Sequence, residues 1–179
     1  MGAGQSDDSI SRMNLVRPVM PVMLLIAVCG HAHARDATSR GFDVVRYEVT
    51  LRPDPATESV SGKQTIFLKA SDSTTEALSF SPNALVIEGA KLDGQPIAVT
   101  HDASDIRFEL PEPLRAGQTA TLKFEFKGTP ARGLQKSGDI LYTSYFACDW
   151  MVCLQDAPGD KADFSLDLIL PKEVRSGHV

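Results

Sequence analysis

From Val45 to Leu51 the residues Val45, Tyr47, Val49 and Leu51 alternate with Arg46, Glu48 and Thr50. A period of two places one set of side chains inward and the other in water, the pattern of a half-buried strand. Pro53-Asp54-Pro55 ends it, because a proline has no N–H for a ladder. A second strand follows with Val60, Gly62, Gln64, Ile66 and Leu68 on one face, and the two are predicted to form a hairpin. Leu78 to Phe80 is a short third strand that stops at Ser81-Pro82-Asn83. Leu85, Ile87 and Leu92 then lead to Asp93-Gly94, a dipeptide suited to the positive φ values of a tight hairpin turn, with Ile97 to Thr100 as the return arm. Ile106, Phe108 and Leu110 alternate up to Pro111-Glu112-Pro113, and Ala120, Leu122, Phe124 and Phe126 alternate after Gly117. The last clear strand carries Phe164, Leu166, Leu168 and Leu170.

No stretch beyond the first 34 residues keeps helical spacing over three turns. Short strands separated by turn clusters predict an all-β fold, an antiparallel sandwich or saddle. The exception is Gly128 to Asp163, rich in Gly, Ser, Asp and aromatic residues and weak in periodicity. A segment of that length inside a compact domain is usually functional or packed against something else.

The N-terminus reads differently. Arg17, the apolar run Val19 to Cys29 and the tripeptide Ala32-His33-Ala34 are the three parts of a cleavable secretory signal peptide, residues 1–34. Met13 is an alternative start, since Asp7 and Asp8 sit badly in a region that should be positive. The apolar run is about half of the ~20 residues a membrane span needs, so no stable span is expected after cleavage. The mature chain would then be a single domain, residues 35–179, periplasmic or secreted.

Composition narrows the partners. With 18 Lys and Arg against 23 Asp and Glu, the net charge of −5 offers no field for phosphates, which argues against nucleic acid. Cys148 and Cys153 are the cysteines left in the mature chain; in an oxidising compartment they form either a bridge or two buried thiols.

Catalytic patterns are not found. No nucleophile elbow, phosphate loop or dinucleotide fingerprint occurs. His31 and His33 leave with the signal, and His101 and His178 cannot supply two ligands four residues apart on a helix, so no metal site and no resident cofactor are expected. Asp156, Asp160 and Asp163 lack the spacing of a calcium loop. Asp149 reads as an exposed loop acid. Tyr142, Tyr145, Phe146, Trp150 and Met151 form an aromatic cluster that is either core or interface.

The order of motifs resembles the opening β domain of zinc aminopeptidases of the aminopeptidase N family. Phe42 with Tyr47-Glu48-Val49-Thr50-Leu51, the Pro-Asp turn, Val60 and Gly62, Leu78 and Phe80, and Leu110-Pro111 to Gly117 carry the likeness. Asp156-Ala157-Pro158, Lys161-Ala162 and Phe164 to Pro171 continue it. The resemblance implies that catalysis belongs to a following thermolysin-like domain bearing H-E-x-x-H and the zinc, neither of which this chain encodes, so the chain alone is expected to be inactive. It also implies that a loop of this domain grips the substrate's α-amine through Gln or Glu. Ser144, with Tyr145 beside it, stands near that place, and a serine hydroxyl lacks the reach and charge of a carboxylate. The same loop would face the catalytic domain through Tyr142, Phe146 and Trp150. Val174 to Val179 reads as the start of a further strand, so a truncated N-terminal domain is the first expectation. The other is a stand-alone secreted module that binds a peptide or protein partner.

Overall fold

The computed structural model describes residues 40–71, 74–155 and 161–172. The expected signal peptide with Cys29, His31 and His33, together with Asp156, Asp160, His178 and Val174 to Val179, lies outside the described residues. In chain order the strands are β1 (Phe42–Asp54), β2 (Ser59–Ala70), β3 (Thr75–Phe80), β4 (Val86–Leu92), β5 (Gln95–Pro96), β6 (Val99–His101), β7 (Ile106–Leu114), β8 (Thr119–Gly128), β9 (Leu134–Ser137), β10 (Ile140–Thr143) and β11 (Asp163–Leu168). One 3₁₀ turn, Ala147–Asp149, interrupts them. The described residues are thus nearly all β.

The strands form a six-stranded sheet ordered β11-β1-β2-β8-β4-β5, a three-stranded sheet ordered β3-β7-β6, and the hairpin β10-β9; none closes into a barrel. The two larger sheets face one another across a row of rings. Phe42 of β1 meets Phe80 of β3 at 5.5 Å, Phe80 meets Phe108 of β7 at 5.8 Å, and Phe108 meets Phe124 of β8 at 5.3 Å. Ile66, Leu68, Leu78, Leu85, Ile106 and Leu122 fill the space around them with almost no exposure. Burial of this kind contributes roughly 25 cal/mol per Å² of apolar surface removed from water.

Four expectations are corrected. Val45 does not point inward; it is 48% exposed, while Phe42 and Val44 are buried. The ladder between β1 and β2 slips between Val44 and Arg46. A bulge adds one residue to one strand and so reverses which parity faces the core, and Tyr47, Val49 and Leu51 resume the inner face after it. Ile97 to Thr100 is not the return arm. Asp93 and Gly94 do form the tight turn, with φ of 48° and 86°, but the arm is only Gln95–Pro96, and β6 crosses to pair with β7 in the other sheet.

Pro111-Glu112-Pro113 does not end its strand either. β7 runs to a buried Leu114, and the prolines fall where the register breaks between Thr75 and Ala77, so no ladder N–H is demanded of them. Last, the sheet is not wholly antiparallel: β11 runs parallel to β1, pairing Tyr47 with Phe164, Val49 with Leu166 and Leu51 with Leu168. The two are the first and last strands among the described residues, so no hairpin joins them and a parallel pairing is open to them.

Candidate functional site

The segment after β8 is more regular than its composition predicts. Tyr142 of β10 sits opposite Gln135 of β9, and its hydroxyl meets Gln135 Oε1 at 2.8 Å. Lys136 Nζ donates to the Pro55 carbonyl at 3.0 Å, which ties the hairpin to the turn between β1 and β2. The chain then enters the 3₁₀ turn, where Cys148 and Cys153 are joined by a disulfide with Cα atoms 5.0 Å apart.

Three polar side chains hold this turn. Asn83 Nδ2 donates to the carbonyls of Cys148 at 2.8 Å and Met151 at 3.2 Å, while its Oδ1 accepts from the Leu85 N–H. Gln64, buried on β2, donates to the Val152 carbonyl at 2.7 Å and accepts its N–H at 2.9 Å. Asp149 Oδ2 accepts the backbone N–H groups of Arg132 at 2.9 Å and Gly133 at 3.1 Å. A buried carboxylate is costly unless it is hydrogen-bonded, and these amides supply the bonds. Asp149 is therefore not the exposed loop acid expected from its surroundings; it is only 8% exposed.

Gly133 permits this approach. A Cβ there would collide with the carbonyl oxygen of Phe146 and lie 2.9 Å from Asp149 Cβ and 3.0 Å from Trp150 Cδ1. Only the residue without a side chain fits where this stretch meets the 146–150 turn.

The candidate residues are thereby sorted. Trp150, expected at an interface, is buried in the domain's own core at 6% exposure, with Met151 beside it. Phe146 is half-buried beneath the Arg132 guanidinium, whose carbon lies 4.1 Å from the ring centroid. Tyr142 is exposed, and Tyr145 is the most exposed at 94%. Ser144 is turned to the backbone: its Oγ donates to the Arg132 carbonyl at 3.2 Å and its N–H to the Gly133 carbonyl at 3.3 Å. Arg132, Gly133 and Asn83 were not singled out by sequence; a Gly after an Arg and an Asn after a proline are common loop features, and only the fold shows what they touch. Gln64 was legible as a polar residue on an apolar face.

Beside the loop lies an apolar groove of about 570 Å³, bordered by Tyr47, Trp150, Met151, Leu154, Lys161 and Phe164. It continues along β11. Phe164, Leu166 and Leu168 share the face of Tyr47, Val49 and Leu51 through the parallel register, yet Val49 and Leu51 are buried whereas the three β11 side chains remain about half exposed. β11 is an edge strand of its sheet, and all of its residues are exposed. Among the described residues, no three His, Cys, Asp or Glu side chains gather as a metal ion would need.

A sequence model of the Peptidase M1 N-terminal domain matches residues 44–177. Among solved structures, the chain is similar to a two-domain M1 zinc metallopeptidase variant bound to L-tryptophan, at 25% identity and a TM-score of 0.66, covering 74% of this chain and 33% of that one. It is also similar to an M1 zinc metallopeptidase from Deinococcus radiodurans, at 25% identity and a TM-score of 0.65 with the same coverage. A variant of the Deinococcus enzyme bound to a Tyr-Ser-Ala substrate shares the fold at 24% identity and a TM-score of 0.65, with 74% and 33% covered. No curated protein matches. The chain spans about a third of the solved structures it resembles.

Proposed function

Because the chain belongs to the family of M1 peptidase N-terminal domains, we propose that it serves as the non-catalytic β domain of an aminopeptidase N-like zinc metallopeptidase, packing against a peptide-binding catalytic domain and helping to shape it. The observation that carries this reading is the uncovered inner face of β11. Phe164, Leu166 and Leu168 lie in register with core residues but lack a covering layer among the described residues. An apolar strip continuous with a core is the surface expected of a domain that rests on another. Zinc and its H-E-x-x-H ligands belong to that second domain, and this chain contributes surface and loop. Export after cleavage at Ala34 is part of the same proposal, and N-terminal sequencing of the released protein checks it: Arg35 is expected first, and a product retaining Met23 to Cys29 contradicts it.

The test of function is an assay in two arms. The chain alone, with added zinc, is expected to hydrolyse no amino-acid arylamide, and the same chain joined to an M1 zinc catalytic domain is expected to form one particle that does. Zinc-dependent turnover by the chain alone, surviving removal of host peptidases, would overturn the reading. So would a catalytic domain that ignores it. A second reading, a self-sufficient peptide-binding module, draws on the exposure of Tyr145 beside a rigidly held loop.

A further inference from the structure

The loop that carries Ser144 and Tyr145 presents charge of an unexpected sign. Its acid, Asp149, is turned inward and occupied by the Arg132 and Gly133 amides. Its base is turned outward. The Arg132 side chain is 63% exposed, lies with its guanidinium carbon 4.1 Å above the Phe146 ring, and has Nη2 3.5 Å from Asp149 Oδ1. That ion pair is longer than the roughly 2.7–2.9 Å of a charge-assisted hydrogen bond, so Asp149 steadies the guanidinium without saturating it. The guanidinium donates no hydrogen bond to any described residue, and its Nε–H and Nη1–H groups have no described partner.

The support beneath is fixed. The Arg132 backbone is held through its N–H by Asp149 and through its carbonyl by Ser144 Oγ and Gln135 Nε2, the latter at 3.3 Å. Asp149 lies within the disulfide-closed turn and Phe146 caps the start of the 3₁₀ turn. A planar cation laid on a ring, with its backbone immobilised, has lost much of the rotamer freedom that a surface arginine normally gives up on binding. Tyr145, between Ser144 and Phe146 in the chain, adds an almost fully exposed aromatic side chain.

We propose that Arg132 is a carboxylate-binding residue, with its free Nη1–H groups donating to a carboxylate oxygen. The ligand class is a carboxylate borne on a peptide, from either the C-terminal α-carboxylate or an acidic side chain. A free α-amine is disfavoured, because it meets a like charge at Arg132 and a buried, occupied acid at Asp149. The inference concerns groups of this chain alone and holds whether or not a catalytic domain packs against it.

Four small probes test it on the mature chain, followed by the ¹H–¹⁵N resonances of the Arg132 side chain and of the Arg132 and Gly133 amides. N-acetyl-phenylalanine offers an α-carboxylate, N-acetyl-glutamate α-amide a side-chain carboxylate, N-acetyl-phenylalanine amide no charge, and phenylalanine amide a free amine. Saturable shifts are expected with one or both carboxylates, and the comparison of those two names the source. At least tenfold weaker responses are expected with the uncharged and amine probes. Arg132→Gln keeps the backbone N–H that Asp149 accepts and should weaken carboxylate binding at least tenfold; Arg132→Lys, which loses the planar fork, should fall between. Binding of neither carboxylate probe more tightly than N-acetyl-phenylalanine amide overturns the proposal, as does unchanged carboxylate binding in a folded Arg132→Gln chain. Should that variant misfold, the comparison of probes on the unsubstituted chain decides.

Discussion

Gln64 and Val152, 88 residues apart, exchange two hydrogen bonds: the side-chain amide donates to the Val152 carbonyl at 2.7 Å and accepts the Val152 N–H at 2.9 Å. One glutamine thus does for the loop what a neighbouring strand does for a strand, satisfying both backbone groups of a residue with no exposure. Gln64→Ala would strand both groups, at a cost of about 1–3 kcal/mol. Urea unfolding checks this. An unchanged midpoint in the variant would show that the loop is not anchored there.

Gly133→Ala places a methyl group against the Phe146 carbonyl, Asp149 and Trp150. Overpacking of a site bounded by backbone is expected to cost about 1–3 kcal/mol and to move Trp150 from its buried position. Tryptophan emission should shift to longer wavelength along with the lost stability. An alanine variant with native emission and stability would contradict the close approach of Gly133 to the 146–150 turn.

The Cys148–Cys153 bridge closes a short loop, with a sequence separation of 5. Chain entropy for so small a ring gives about 2 kcal/mol. The double Cys148→Ser, Cys153→Ser variant should therefore still fold, because Asn83, Gln64 and Asp149 hold the same turn independently. Limited proteolysis is expected to cut first within the turn in the variant and elsewhere in the parent. Complete unfolding of the variant would show the bridge to be indispensable.

Three exposed carboxyls sit below the usual carboxylate range. Asp102 is lowered first by the Ser104 hydroxyl and then by the Ser104 and Asp105 amides, Glu125 by the Lys63 ammonium, and Asp54 by the Ala56 amide. A carboxyl depressed in the folded state adds stability above its unfolded value and loses it as pH falls through the folded one. Stability should therefore be level between about pH 5 and 7 and decline below about pH 4. Asp102→Asn should make that decline shallower. A decline of equal steepness would remove Asp102 from the account.

How much of this was legible in the chain depends on whether the signal was local. The alternation in β2 and β8 named Gly62, Gln64, Ile66, Leu122, Phe124 and Phe126 as inward-facing, and the tight turn at Asp93-Gly94 followed from backbone preference alone. The bulge at Val45 was hidden because the residues on either side of it each alternate correctly, in opposite phase. The burial of Asp149 is not legible because its partners, the Arg132 and Gly133 amides, lie 17 and 16 residues away and carry no side-chain signature. An aromatic cluster looks alike in a core and at an interface, so both readings stay open in the sequence; only the fold separates buried Trp150 from exposed Tyr145.

The parallel pairing of β11 with β1 was likewise beyond reach, since an alternating strand does not state the direction of its neighbour. Its consequence is the exposed strip, which favours partial association whenever no covering layer is present. Leu166→Glu is expected to raise solubility at little cost to the domain's own stability, since that side chain is 42% exposed. A precipitous loss of folding in this variant would mean that Leu166 belongs to the core.

The central claim, that β11 presents an inner face meant for another domain, is tested most directly by light scattering of residues 35–179 over a concentration series. The account predicts a mass that rises with concentration, that returns to the monomer value in Leu166→Glu, and that becomes monodisperse when the chain is joined to an M1 catalytic domain. A concentration-independent monomer with a single cooperative unfolding transition would contradict it.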